Sequence, residues 1–158
     1  MIEIERKYLV NDDSYKDLAH KATPIVQGFL NTHPDRTVRI RISGQQAWIT
    51  VKGRSNEEGT ERFEWEHPVE VGDAQELIPL CESGVIHKTR YEVLHHGQRF
   101  EVDEFHQDNT GLTLAELELE SSDTPVEKPA WLGDEVTGDV RYYNSQLSKQ
   151  PYTTWKES

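Results

Sequence analysis

The sequence has few of the features that mark secreted or membrane proteins. Cys81 is the only cysteine among 158 residues, so no disulfide can form within the chain and a reducing setting is expected. No apolar stretch approaches the ~18 residues needed to span a bilayer. The opening segment is charged from Glu3 onward and has no apolar core typical of a signal peptide. We therefore expect a cytoplasmic protein with no membrane partner.

Motifs for several kinds of catalytic chemistry are also missing. The seven histidines show no HExxH pattern or other ligand-like spacing, which argues against a zinc site. No GxSxG, GxxxxGK or Gly-rich dinucleotide fingerprint occurs, so serine hydrolase, P-loop and Rossmann chemistry have no support. Any catalytic site must be built from other residue types.

Apolar residues are scarce and acidic residues are abundant. The hydrophobic content of 34% lies below the roughly 45 to 50% of an average domain. The net charge of −12 repels nucleic acid, so we expect no nucleic-acid partner. An anionic ligand would need a local basic patch. The length fits a single domain, which we take as residues 1–158.

Alternation with a period of two residues predicts a mainly β (α+β) fold. Short turn segments between strands favour antiparallel pairing, and eight strands are enough to close a small barrel without exposed edges. Three helices, at about residues 13–21, 73–82 and 138–148, are expected to pack outside it. The eight predicted strands are approximately residues 2–10, 25–31, 37–43, 46–53, 61–68, 87–94, 99–106 and 112–120.

Nearly every predicted strand has one ionisable face and one apolar face. In a single strand this usually means that the charged face lies in water. Here same-sign neighbours recur, such as Arg39 with Arg41, and their repulsion favours a ligand of opposite charge. We therefore predict that the charged faces line a hydrated lumen and that the apolar faces turn outward. The basic set is Lys7, Arg39, Arg41, Lys52, Arg62, Lys88 and Arg90, and the acidic set is Glu3, Glu5, Glu64, Glu66, Glu101, Asp103, Glu116, Glu118 and Glu120.

Such a lumen suits the chemistry of phosphate transfer. Clustered carboxylates offer the hard oxygen ligands that Mg²⁺ and Mn²⁺ prefer. Arginine and lysine side chains bind phosphate oxygens, so several strands could hold a linear polyphosphate along its length. Positioning and charge neutralisation are the main requirements of phosphoryl transfer, and water would be the nucleophile.

An ordered series of motifs along the strands resembles the CYTH superfamily, also called triphosphate tunnel metalloenzymes. The resemblance covers nearly the whole chain. It implies an eight-stranded antiparallel tunnel whose members act on triphosphates with Mg²⁺ or Mn²⁺. The motifs are ExExK at Glu3, Glu5 and Lys7, QGFL at 27–30, RIR at 39–41, TVK at 50–52, KTRY at 88–91, EVD at 101–103, AELELE at 115–120 and EVTGDVRYYN at 135–144.

The resemblance also implies roles for individual residues. One departure is Phe29, where the family often has tyrosine. A phenyl ring cannot transfer a proton, so activation of the water would fall to the metal or to an acidic residue such as Glu64. The implied metal ligands are Glu3, Glu5, Glu116 and Glu118, with Asp103 and Glu101 as further candidates. The implied phosphate-binding residues are Lys7, Arg39, Arg41, Lys52, Arg62, Lys88 and Arg90, and the candidate catalytic residues are Lys7, Arg39, Lys88 and Glu64.

Short bacterial members with this closing motif most resemble inorganic tripolyphosphatases, so tripolyphosphate is the favoured substrate, with ATP as a further candidate. Three alternatives remain open at this point. They are a class IV-type adenylate cyclase, another nucleotide or organic triphosphatase such as a thiamine triphosphatase, and a polyphosphate-binding module without catalysis. A homodimer also remains open.

Overall fold

The computed structural model describes residues 2–155, and its strands form a closed antiparallel barrel. Eight strands make the barrel wall, as predicted. A ninth, β9, extends the sheet beside β1. The strands are β1 (Ile2–Val10), β2 (Lys21–Asn31), β3 (Arg36–Ser43), β4 (Gln46–Gly53), β5 (Glu61–Val69), β6 (Ile86–His95), β7 (Gln98–Phe105), β8 (Thr113–Glu118) and β9 (Leu132–Glu135).

The barrel closes through a short contact between its first and fifth strands. The sheet runs in the order β5-β4-β3-β2-β6-β7-β8-β1-β9, and β5 pairs again with β1. Only the first part of β1 takes part in this closure, with Glu3 opposite Arg62. Further along, Tyr8 pairs with Glu135 of β9. The sequence did not predict β9, because its four residues are too few to show alternation.

The helices are shorter than predicted. Helix α1 (Tyr15–Leu18) is one turn because β2 already begins at Lys21, and helix α2 (Val71–Leu77) continues into a 3₁₀ turn at Ile78–Leu80. The predicted helix at 138–148 is wrong as a continuous element. Tyr143 has an extended backbone (φ −70°, ψ 136°), which separates a 3₁₀ turn at Val140–Tyr142 from helix α3 (Asn144–Leu147). Two more 3₁₀ turns lie at Gln107–Asn109 and Tyr152–Thr154.

Hydrophobic clusters lie on both sides of the barrel wall: two are outside it, as expected, and the third is on the inward faces of β6, β7 and β8, where it closes one end of the lumen. Tyr15 of α1 packs with the outward faces of β1, β7 and β8 and with Trp131. Ala74 of α2 covers Ile40 and Ala47 on β3 and β4. Leu147 of α3 packs in a third cluster with residues that include Ile86, Phe105 and Leu114. Among residues 2–155, no helix combines the length and apolar character that crossing a membrane requires.

The outward apolar face of β5 is only partly covered by other elements. Phe63 and Trp65 are each about half exposed on this strand, at 49% and 47%. Trp65 stacks on His67 of the same strand, with ring centroids 5.8 Å apart. The expectation that helices cover the outward apolar faces therefore holds for the other strands better than for β5.

The C-terminal segment (residues 136–147) lies across the barrel and contacts the β4–β5 loop. Val136 begins it by donating a backbone hydrogen bond to the Lys7 carbonyl. Gly59 and Gly138 then meet backbone to backbone, both at positive φ (+77° and +80°). A Cβ on Gly59 would overlap Cα of Gly138. Glycine is therefore required here for both backbone conformation and close approach.

We expect Gly59→Ala to destabilise the fold more than Gly97→Ala. Gly97 has a similar φ (+78°) but open space around its Cβ position, so it isolates backbone strain, which costs about 1 to 2 kcal/mol for a left-handed alanine. Gly59→Ala adds a steric overlap with the C-terminal segment. Urea unfolding of both variants measures the difference, and equal losses of unfolding free energy would contradict the contact.

Candidate active site

The barrel encloses a cavity of about 260 Å³ whose wall is almost entirely polar or charged. Of the residues predicted for the site, only Asp103 lies outside the cavity lining. Glu120, expected in the lumen, is exposed beyond the end of β8. The predicted residues that line the cavity are Glu3, Glu5, Lys7, Arg39, Arg41, Lys52, Arg62, Glu64, Glu66, Lys88, Arg90, Glu101, Glu116 and Glu118.

One wall of the cavity, formed by β1 and β8, is acidic. Antiparallel register places Glu5 opposite Glu118, and Lys7 opposite Glu116. Burial raises the pKa of Glu5 to about 8, and the nearby Glu116 adds to the shift. The pKa of Glu116 falls to about 2 despite its burial, because Lys7 and a hydrogen bond with Glu5 favour its charged form. The pair therefore holds one proton near neutral pH.

Two other carboxylates of this wall, Glu3 and Glu118, also have raised pKa values. Burial raises the pKa of Glu3 to about 6, although Lys52 opposes the shift. Burial and the neighbouring Glu3 and Glu101 likewise raise the pKa of Glu118. Carboxylates that retain protons this readily lack sufficient positive charge nearby, which is the environment that a bound cation would correct.

The donor set of the acidic wall fits Mg²⁺ or Mn²⁺. Its ligands are all carboxylate oxygens, the type these ions prefer. Lysines take part of the space between them, since Lys52 Nζ lies 2.9 Å from Glu3 and Lys7 Nζ lies 3.8 Å from Glu116. Accordingly, no three His, Cys, Asp or Glu side chains in residues 2–155 are grouped as ready metal ligands. Binding would require these side chains to turn toward the ion.

The opposite wall, formed by β3 and β6, is basic. Arg39 bonds Thr50 through Nη2 at 3.1 Å and lies 3.6 Å from Glu66. Its Nε is buried and has no hydrogen-bond partner within residues 2–155. Burial lowers the pKa of Arg41, and the cations Arg39 and Arg90 add to the effect. This wall thus has too little negative charge around it. A ligand oxygen in the lumen could accept a hydrogen bond from the buried Arg39 Nε.

Asp103 lies behind the basic wall and orients two of its cations. Its two oxygens accept from Arg90 Nε and Nη2 at 2.8 and 2.9 Å, and Lys88 Nζ lies 2.8 Å from one of them. These cations hold the pKa of Asp103 well below its usual range despite complete burial. Burial lowers the pKa of Lys88 to about 7, although Asp103 opposes the shift. Both oxygens of Asp103 are therefore engaged by cations, and Asp103 lies outside the cavity lining, unlike the other predicted metal ligands.

The remaining predicted residues connect the two walls. Lys52 lies between Glu3 and Glu64, at 2.9 and 3.8 Å. Arg62 donates to the Gly53 carbonyl at 3.0 Å. The cavity lining also includes Phe29, whose ring presents no polar atom to the lumen.

Sequence reasoning missed the contribution of the C-terminal segment to the cavity wall. Tyr143, Asn144 and Ser145 all line the cavity. The Tyr142 carbonyl accepts a hydrogen bond from Lys7 Nζ at 3.2 Å. These residues belong to the RYYN motif, which was assigned to an outer helix. The one available signal was polar Asn144 at the end of an aromatic run.

Comparison with known proteins identifies the family to which this chain belongs. The fold and cavity define a barrel protein whose lumen can hold a polyanion beside a hard cation. The CYTH domain matches residues 1–150. Over 156 residues, and 98% of each chain, the sequence is 45% identical to an inorganic triphosphatase of Acetivibrio thermocellus. The chain belongs to the CYTH domain family.

Two further relatives agree with this assignment. An inorganic triphosphatase of Nitrosomonas europaea is 38% identical over 152 residues, which cover 94% of this chain and 97% of the relative. The crystal structure of the inorganic triphosphatase NE1496 superposes with a TM-score of 0.67 at 36% identity, covering 92% of this chain and 93% of that one. The eight-stranded tunnel inferred from the residue pattern is thus confirmed by a related structure.

The carboxylate pair predicts an unusual pH dependence of stability in metal-free protein. Glu5 titrates near 4.5 when unfolded and near 8 when folded, so between these values the folded protein holds a proton that the unfolded chain has released. Stability should therefore fall as pH rises through this range. Glu5→Gln has no such proton and should escape this loss.

Urea unfolding of both proteins at pH 5.5 and pH 8, in EDTA, tests the prediction. We expect the variant to gain stability relative to wild type as pH rises. Parallel changes in the two proteins would show that Glu5 does not retain the proton.

Proposed function

We propose that this chain hydrolyses inorganic tripolyphosphate to pyrophosphate and phosphate, with Mg²⁺ or Mn²⁺. The observation that carries the proposal is the division of one lumen into an acidic wall and a basic wall, each short of opposite charge. On the basic wall, the buried Nε of Arg39 has no hydrogen-bond partner within residues 2–155. On the acidic wall, Glu5 and Glu116 retain a proton because positive charge is lacking nearby. A polyanion and a divalent cation bound together would satisfy both.

The basic residues would bind the phosphates. Guanidinium groups form paired hydrogen bonds to phosphate oxygens. Arg39, Arg41 and Arg90 would therefore hold the polyphosphate along β3 and β6, and Arg62 would contribute from β5. Lys7, Lys52 and Lys88 would add compact positive charges. A linear inorganic polyphosphate fits this lumen because charged side chains make up most of the cavity lining.

The carboxylates Glu3, Glu5, Glu116 and Glu118 would hold the cation, with Glu101 as a further ligand. When bound, the cation would neutralise charge on the phosphoryl oxygens. This chain's own residues would then align the phosphates and admit water at one end of the substrate. Because Phe29 has no proton to transfer, Glu64 is the proposed group for orienting or deprotonating that water. We treat residues 1–158 as one catalytic unit.

A substrate panel tests the proposed activity. Purified protein should release orthophosphate from tripolyphosphate with Mg²⁺ or Mn²⁺, and EDTA should abolish the release. ATP and thiamine triphosphate should be hydrolysed more slowly, because neither leaves an unsubstituted phosphate at both ends. Conversion of ATP to cyclic AMP without release from tripolyphosphate would refute the proposal, as would tight tripolyphosphate binding without turnover.

Single substitutions on the two walls should each lower turnover. We expect Arg39→Ala and Glu116→Gln to reduce kcat/KM at least tenfold, or by ~1.4 kcal/mol or more of transition-state stabilisation. Both should fold, because the substituted groups face the lumen and not the apolar core. Initial rates and thermal unfolding give the two readouts.

Arg36→Ala is the matched control for this test. Arg36 is an exposed residue of the same strand as Arg39, outside the cavity lining. It should leave the rate unchanged. Near-native rates in Arg39→Ala and Glu116→Gln would place both residues outside the site.

A further inference from the structure

The C-terminal segment supplies a partly buried amide, Asn144, to the basic wall of the cavity. Its Oδ1 accepts two hydrogen bonds, one from Gln27 Nε2 and one from Lys88 Nζ, each 2.9 Å long. Asn144 lies 56 residues from Lys88 in the chain and on a different element. The contact therefore joins the C-terminal segment to the barrel at a residue proposed to bind substrate.

The orientation of this amide is fixed by a directional chain of hydrogen bonds. Arg41 has only donors, so Gln27 must turn its Oε1 toward Arg41 Nε, at 2.9 Å. The amide nitrogen of Gln27 then faces Asn144, and the oxygen of Asn144 must face Gln27. The same oxygen is thereby presented to Lys88. Two neutral amides thus connect the cations of β3 and β6.

Lys88 is held by protein on two sides and remains open on a third. Its ammonium group has three donors. One is directed to Asp103 at 2.8 Å and one to Asn144 at 2.9 Å. Lys88 also lines the cavity, although it is only 1% exposed. Two fixed acceptors therefore leave the remaining N–H for a ligand in the lumen.

The C-terminal segment is anchored firmly enough to position this contact. Leu147, three residues after Asn144, is fully buried against the barrel in the cluster that contains Ile86 and Phe105. On the other side of Asn144, the Tyr142 carbonyl binds Lys7 Nζ. The amide is therefore held between two fixed points.

We propose that Asn144 is a positioning residue, which aims the ammonium group of Lys88 at the substrate phosphates and makes the C-terminal segment part of the catalytic unit. It acts through Lys88 and does not itself touch the reacting atoms. A neutral acceptor suits this position, since a second carboxylate would compete with the phosphates for the lysine. The inference rests on the proposed tripolyphosphate hydrolysis.

A double-mutant cycle tests whether Asn144 acts through Lys88. The four proteins are wild type, Asn144→Ala, Lys88→Met and the double variant, where methionine keeps most of the lysine volume without its charge. Asn144→Ala should lower kcat/KM about tenfold in wild type and less than about twofold in Lys88→Met. A ratio of at least fivefold between the two effects supports the proposal. A smaller ratio overturns it, because a merely structural role would act equally in both backgrounds.

Controls separate this result from unfolding and from failure of the proposed function. Gln146→Ala alters the same short helix at a side chain with no hydrogen bond in the described part of the chain, and it should leave kcat/KM unchanged. If Asn144→Ala does not fold, Asn144→Ser keeps a polar side chain too short to reach Lys88. If wild type shows no turnover, the hydrolase proposal fails. Calorimetry then measures the Kd of tripolyphosphate for the same four proteins, and the effect of Asn144→Ala on Kd must again be at least fivefold larger in wild type than in Lys88→Met.

Discussion

A charge that leaves water costs on the order of several kcal/mol unless a partner replaces the lost hydration. In this protein that constraint falls on the barrel interior, where ionisable side chains occupy positions that most small barrels fill with apolar ones. Asp103 and Lys88 are almost inaccessible to solvent, and they are stable there because each binds the other and because Arg90 joins them. The apolar side chains are separated from these charges for the same reason, since they pack outside the wall or at one end of the lumen.

The partners within the lumen are unevenly distributed, and this unevenness is the basis of the proposed chemistry. Asp103 binds two cations of the basic wall, whereas Arg39 Nε has no hydrogen-bond partner within residues 2–155. On the acidic wall, Glu5 compensates for the lack of positive charge by retaining a proton. A lumen whose charges were all paired internally would gain little from a ligand. The incomplete pairing would favour the binding of a polyanion and a cation together.

The sequence predicted the barrel and the inward set of side chains because both follow from local alternation. Arg39 and Arg41 face the same way whatever the rest of the chain does, and strand count then limits the architecture. Residues outside regular strands could not be placed in this way. Asn144 lies on a segment read as a continuous helix, and its partner Lys88 is distant in sequence. Alternation likewise places Asp103 on the charged face, but it does not identify Arg90 and Lys88 as the partners that bind it.

The site and the fold depend on each other where the C-terminal segment closes one end of the barrel. In a protein with a central apolar core, a surface segment can be lost while the core remains. Here Leu147 and Tyr142 pack with Ile86 and Phe105, which lie on the inward faces of β6 and β7 at one end of the barrel, and the residues between them line the cavity. The same short stretch of chain therefore buries apolar surface on one side and orients Lys7 and Lys88 on the other. Packing that stabilises the fold is, at this point, also what fixes the geometry of the basic wall.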